Sequence, residues 1–217
     1  TRAITILREN GDALHRLSTR AGRPKLALNC AAISPTLVEP TLFGHAKGAF
    51  TGAQGARAGY FEEAGDGTLF LDEIGELPLE LQPKLRRVLE NGQYQRVGET
   101  QQRDSRARGI AASNRDLKKE VREGRFRADL YHRLSVFSVT VPPLRETGDD
   151  RFLLLEHFCQ RYAQQAGCRP IALMPPAREL LADYHFPGNV RELRNIVIRL
   201  TAKHGGQAIS ADELATE

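Results

Sequence analysis

The run Gly67-Thr-Leu-Phe-Leu-Asp-Glu-Ile-Gly75 constrains this chain most: apolar, β-prone residues end in two adjacent carboxylates. An apolar run of this length, bounded by glycines, predicts a strand buried on both faces, which is the signature of a parallel sheet in an α/β fold. Ligands of such sheets bind beyond the carboxyl ends of the strands, where Asp72 and Glu73 would emerge. Asp72 could then hold Mg²⁺, directly or through water, while Glu73 polarises an attacking water. The pair alone is equally compatible with a plain strand followed by an acidic helix cap.

Composition narrows the class. At 217 residues the chain can bury a real core, and 41% apolar with 27% charged residues is ordinary for a globular protein. No apolar run approaches the ~20 residues needed to cross a bilayer, and the first residues do not read as a signal peptide. No membrane association and a cytoplasmic location are therefore expected. Cys30, Cys159 and Cys168 are an odd set without CxxC spacing, which argues against a disulfide framework or a zinc site. The net charge of +4 is spread along the chain without interleaved aromatics, so direct nucleic-acid binding by this segment is not expected.

Strand-like runs at residues 4–7, 25–29, 68–71, 109–112 and 136–141 alternate with helical stretches, the pattern of a mostly parallel sheet covered by helices. After Pro142-Pro143 the pattern changes. Residues 150–165, 175–184 and 188–204 carry helical spacing with proline and glycine punctuation, and no further strand run is read there. Two parts are predicted: an α/β subdomain over residues 1–143 and a small helical subdomain over 144–217.

Residues 38–59 are rich in glycine and alanine around Phe43 and Phe50, with little of the spacing that would bury either ring. They read as a long surface loop that can ride on short helices. At its centre, Gly48-Ala-Phe-Thr-Gly-Ala53 sets an aromatic and a hydroxyl between glycines. Such a tip suits reversible contact with another protein, and equally an Ω-loop folded over its own phenylalanine.

These residues resemble a known family. Gly48-Ala-Phe-Thr-Gly-Ala53 matches the GAFTGA loop of the AAA+ ATPases that activate sigma-54 RNA polymerase, the bacterial enhancer-binding proteins. Residues 39–53, 67–78, 124–134 (Gly-Arg-Phe-Arg-Ala-Asp-Leu-Tyr-His-Arg-Leu) and 186–193 (Phe-Pro-Gly-Asn-Val-Arg-Glu-Leu) follow that family in order and spacing. The resemblance covers nearly the whole chain. It implies a P-loop-type three-layer α/β/α sandwich with a parallel sheet, followed by an α-helical lid.

By this resemblance Asp72 corresponds to the Mg²⁺-coordinating carboxylate of the Walker B motif and Glu73 to the general base. Asn29 corresponds to the asparagine that restrains that glutamate until the oligomer is assembled, a role an amide can fill because it both donates and accepts. Ser113 and Asn114 match sensor I, with serine in place of the usual threonine. Arg127 and Arg133 match the pair from which a neighbouring subunit's arginine finger is drawn; a guanidinium stays charged and spans phosphate oxygens in fork geometry. Arg191 matches sensor II. Gly48, Ala49, Phe50, Thr51, Gly52 and Ala53 would contact sigma-54.

One half of the site departs from the family. A P-loop needs a strand followed by G-x-x-x-x-G-K-[ST] or a close variant, and nothing in residues 1–25 satisfies it. The better register makes residues 4–7 the first strand, begins the loop at Arg8-Glu-Asn-Gly11, with Gly11 as a nucleotide-binding position, and joins Asp12 directly to the next helix. The lysine would then be absent, through loss of the loop from the gene, deliberate editing of the chain or omission of the loop from the sequence, and the literal chain should bind ATP poorly.

The resemblance implies a Mg-dependent ATPase that assembles into a homo-oligomeric ring, commonly a hexamer, and couples ATP hydrolysis to remodelling of the sigma-54 RNA polymerase holoenzyme. Enhancer DNA binding is expected from a C-terminal helix-turn-helix outside this chain. Two alternatives stand: a catalytically degenerate AAA+ module that regulates through assembly, and an AAA+ remodeller of another target.

Overall fold

The computed structural model describes residues 11–217, so the strand expected at 4–7 and the loop residues 8–10 lie outside the described residues. The chain divides into two compact units, the first running to Val139 and the second comprising Thr140–Glu217.

The first unit is built on a parallel sheet of β1 (Lys25–Asn29), β2 (Thr68–Asp72) and β5 (Arg108–Ala111), with β2 in the centre. All five residues of β2 are buried, as expected of a strand covered on both faces. Its side chains alternate accordingly. Leu69 and Leu71 join the main apolar cluster with Leu28, Phe43, Phe61 and Leu85. Thr68 and Phe70 face the helix over residues 11–16 (α1), where His15 Nδ1 lies 2.9 Å from Thr68 Oγ1. A Cβ on Gly11 would come within 2.6 Å of the Phe70 ring, so α1 rests on the strand at a distance that only glycine allows.

α2 (Pro35–Phe43) and α3 (Tyr60–Glu63) pack together, and α4 (Gln82–Asn91) packs on α6 (Ala128–Leu134), which follows α5 (Leu117–Arg122). A two-residue hairpin of β3 (Gln93–Tyr94) and β4 (Arg103–Asp104) precedes β5. Its brevity hid it from sequence patterning.

Two expectations for this unit need correction. Residues 38–59 are not loop throughout: they begin inside α2, and Phe43 is 1% exposed, stacked on Phe61 at 5.6 Å. Pro40, a breaker signal in sequence, sits within the helix, while Pro35 at its first turn pre-sets the backbone. Residues 136–141 form no strand. Phe137 is 94% exposed and Val139 80%, and among the described residues no strand pairs with them. Alternation specifies a strand only where an edge and a covering layer meet it.

The second unit contains α7 (Asp150–Ala166), α8 (Pro175–Asp183), α9 (Asn189–His204) and α10 (Ala211–Ala215), with α7 against α9. Leu155, Phe158, Leu181, Phe186, Leu193, Val197 and Leu200 form its own core. The expectation of no strand here is also corrected: β6 (Ala172–Leu173) and β7 (Ala208–Ile209) pair in parallel, two residues each, too short for a period-2 signal. α10 opens with a capping box between Ser210 and Glu213.

Candidate functional site

The strand register assembles the site. Asn29, last in β1, is the partner of Asp72, last in β2, and Leu71 is the partner of Ala111, last in β5. Asn29, Asp72, Glu73, Ser113 and Asn114 therefore emerge at the same end of one sheet, the carboxyl end predicted to bind ligand.

Asp72 is largely buried, and its Oδ1 accepts a 3.0 Å hydrogen bond from the Glu73 amide. Glu73 adopts the left-handed conformation, φ 52° and ψ 45°, which costs a residue with a side chain about 1 kcal/mol. The chain on its far side is fixed by the Ile74 amide donating to Ala112 O at 2.9 Å and by the 3-10 turn Ile74–Glu76. A strained residue pinned on both sides at a strand end is characteristic of functional positions. The Cys30 thiol is pushed up to about 12, first by burial and then by Asp72 and Glu73, so it stays neutral beside the two carboxylates.

Asn29 Oδ1 accepts from the Ala31 amide at 2.8 Å and caps the 3-10 turn Cys30–Ala32. It makes no hydrogen bond to Glu73 among the described residues. Ser113 Oγ is held in a local turn, receiving the Arg115 amide at 3.1 Å, and Asn114 is exposed. Gly11 lies in α1 against Phe70.

Both arginines of the predicted pair are anchored to neighbouring backbone or side chains. Arg127 precedes α6 and its guanidinium spans both Asp129 oxygens at 3.0 and 2.9 Å, which holds the Asp129 carboxyl below its ordinary range. Arg133 donates through Nε and Nη2 to Leu89 O at 3.0 and 2.7 Å, near the end of α4. Arg191 is exposed in the first turn of α9, in the second unit. The turn before it is tight: Phe186 and Asn189 have φ of 47° and 53°, and buried Asn189 accepts from the Leu144 amide at 2.9 Å.

The 48–53 loop is closed by the Gly48 amide donating to Ala53 O at 2.8 Å, with Gly48 and Gly52 at φ 77° and 100°. The Phe50 ring is 38% exposed and meets the His45 ring edge-on at 5.0 Å. The loop's neck is rigid. His45 and Arg57 exchange backbone hydrogen bonds at 2.9 Å, and the Ala46 amide reaches Val97 O at 2.9 Å. Below the neck, Arg96 pairs with Glu62 at 2.7 Å, joining the β3–β4 hairpin to α3, and Arg103 pairs with Glu99 at 3.0 Å within the hairpin itself. Sequence patterning missed these supports, and it missed the buried Gln82, because none belongs to a motif that marks itself.

The donor set fits a nucleotide partly. One strand-end carboxylate beside a second suits Mg²⁺ held jointly with phosphate oxygens, which needs few protein ligands. Among the described residues no group of three or more His, Cys, Asp or Glu is placed to form a metal cage, and no helix is long and apolar enough to cross a membrane.

Residues 10–140 match the Sigma-54 interaction domain family and residues 145–217 the AAA+ ATPase lid domain family. The chain is 52% identical over 202 residues to the anaerobic nitric oxide reductase transcription regulator NorR of Shigella sonnei, covering 91% of this chain and 40% of that protein. It is 55% identical over 187 residues to NorR of Escherichia coli O1:K1, covering 86% of this chain and 37% of the relative. NtrX from Brucella abortus in complex with ADP superposes with a TM-score of 0.88 at 37% identity, over 95% of this chain and 46% of that one. The same protein in complex with ATP gives 0.86 at 38% identity, over 94% and 45%. This chain thus spans less than half the length of the relatives it matches. Its strand-end carboxylates, its glycine-closed loop and these matches agree: the chain belongs to the Sigma-54 interaction domain family, the AAA+ ATPase module of sigma-54-dependent transcriptional regulators.

Proposed function

We propose that this chain hydrolyses Mg-ATP between neighbouring protomers of a homo-oligomeric ring, a hexamer by family resemblance, and uses the cycle to move the 48–53 loop against sigma-54 RNA polymerase. The observation that carries the reading is the register that sets Asn29 and Asp72 side by side at the strand ends, with Glu73 in a strained backbone next to them. Asp72 would hold Mg²⁺ together with the nucleotide's phosphates, and the metal, when bound, neutralises phosphate charge. Glu73 would take up hydrogen-bond donation from the attacking water. Asn29 would change partners between its present cap and Glu73, while Ser113 and Asn114 report on the terminal phosphate.

Arg127 and Arg133 stand on the flanks of α6 with exposed guanidiniums, suited to compensate charge on a neighbour's nucleotide. Arg191 is assigned to phosphate sensing by sequence match. Phe50 and Thr51, on a closed tip above a rigid neck, would make the sigma-54 contact. DNA recognition is expected from a segment beyond this chain. A second reading, a ring that assembles without turnover, is favoured by the lack of a P-loop motif in residues 1–25.

Steady-state ATP hydrolysis and promoter melting by the full-length protein test the reading. Glu73→Gln should lower turnover by about 10²-fold or more with the fold intact, and Phe50→Ala or Thr51→Ala should keep turnover while abolishing sigma-54 binding. Promoter melting without any ATP turnover would refute the enzyme reading in favour of the second.

A further inference from the structure

Gln82, the first residue of α4, has a fully buried side chain, 0% exposed. Its Nε2 donates to Leu77 O at 3.0 Å and to Arg125 O at 3.2 Å, and its Oε1 accepts from the Arg127 amide at 2.7 Å. These three partners dictate the residue type. A glutamate would turn an oxygen toward two carbonyls, a methionine would leave the Arg127 amide buried without an acceptor, and no shorter side chain offers the same span.

The three anchored points matter by position. Leu77 ends the 3-10 turn that begins immediately after Glu73. Arg125 and Arg127 flank Phe126, which is buried in the core. One amide thus ties the backbone leaving the Asp72–Glu73 pair to the backbone that presents Arg127. The Arg127 guanidinium, by contrast, is half exposed and, among the described residues, held by Asp129 alone. A fixed root with a releasable tip is what an arginine needs to reach across to another protomer.

We propose that Gln82 is a positioning residue for hydrolysis across the protomer interface: its buried amide fixes the backbone from which Arg127 reaches the neighbour's nucleotide and couples it to the turn behind the same protomer's own carboxylates. This rests on the function proposed above. Removing the amide misplaces Arg127 without touching ATP or the carboxylates.

The test uses Gln82→Met and Gln82→Glu in the full-length protein. Both should bind a fluorescent ATP analogue as the unchanged protein does and lose on the order of 10²-fold in kcat with little change in KM. A mixing titration then separates positioning from folding. Glu73→Gln protomers cannot turn over their own ATP but still offer a correctly mounted Arg127. Mixed with Gln82→Met they should restore activity well above the sum of the two homogeneous proteins. The double variant Gln82→Met/Arg127→Ala should be no slower than Arg127→Ala, because the two changes remove one function. Wild-type kcat in Gln82→Met, a missing recovery on mixing, or failure of both Gln82 variants to fold would each overturn the proposal. An Arg127→Ala variant that Glu73→Gln does not rescue would overturn this inference alone, since Arg133 could still serve the neighbour, whereas an unchanged protein that turns over no ATP would remove the proposed function and this inference with it.

Discussion

Asn29 and Asp72 occupy the last rung of the parallel β1–β2 pair, so an amide and a carboxylate leave the sheet side by side, with Glu73 one residue further on. The Asn29 oxygen is committed to the Ala31 amide. Asn29→Ala should therefore lose a cap worth about 1 kcal/mol in chemical denaturation. Asn29→Asp keeps that acceptor but adds a third carboxylate to the cluster, raising the folded-state pKa of the new group above its unfolded value. Its cost should be fully present above the folded pKa and vanish as the pH falls below the unfolded one. A stability difference from the unchanged protein that stays flat between about pH 7 and pH 4 would show that the three groups do not share one field.

The neck of the 48–53 loop separates two kinds of glycine. A Cβ on Gly59 would lie 2.2 Å from Gly44 N and 2.5 Å from Phe43 C, whereas one on Gly48 or Gly52 would meet nothing within 4 Å. Gly48→Ala and Gly52→Ala should each cost about 1 kcal/mol, from the positive φ alone. Gly59→Ala should cost about 3 kcal/mol, because two backbones must part. Urea denaturation of the three variants checks the order; equal costs would mean that the crossing of the two segments yields freely.

Much of this was legible in the sequence where local pattern and burial agree. The β2 run has one reading because it is apolar on both faces, and α7 and α9 declare themselves by spacing over 17 and 16 residues. The failures have a common cause. The alternation at 136–141 says nothing about whether an edge waits beside it, Pro40 breaks a helix only when its surroundings do not repay the lost bond, and two-residue strands such as β6 and β7 carry no period. In the candidate site, Asp72 and Glu73 were legible because an apolar run fixes where its strand ends, whereas Asn29 came from the family resemblance, and its place beside Asp72 needed the strand register. Gln82 was not: its partners, Leu77, Arg125 and Arg127, are backbone groups of three segments, and nothing in a lone glutamine names them.

Glu120 gives the first unit an acid-sensitive joint. Its carboxylate receives Arg125 Nε at 2.7 Å and Nη2 at 2.9 Å, and Arg115 lies at 3.3 Å. The paired hydrogen bonds from Arg125, ahead of the Coulombic attraction of both arginines, pull its pKa from 4.5 to about 2. A depressed carboxyl pKa stabilises the fold above the unfolded value and loses that contribution as pH falls through the folded one. Wild-type stability should accordingly decline from about pH 4.5 toward pH 2, and Glu120→Gln should flatten that slope while lowering stability at neutral pH. Parallel acid titrations followed by circular dichroism decide it: identical slopes would remove Glu120 from the account.

The arginine pair yields a test that separates charge from shape. Arg127 bridges Asp129 at an exposed site, and exposed ion pairs contribute roughly 0–1 kcal/mol, so Arg127→Ala should scarcely alter stability. Arg133→Ala loses its hold on Leu89 O, also at an exposed position, and should be similarly mild. Turnover should respond differently, by about 10³-fold or more for each, if these guanidiniums compensate charge on a neighbour's phosphates. Arg127→Lys discriminates further, since an ammonium keeps the charge but cannot span two oxygens in a fork. It should fail to restore turnover while keeping ATP affinity and ring assembly. Full activity in Arg127→Lys would reduce the requirement to a point charge, and full activity in Arg127→Ala would assign the cross-protomer role to Arg133 alone.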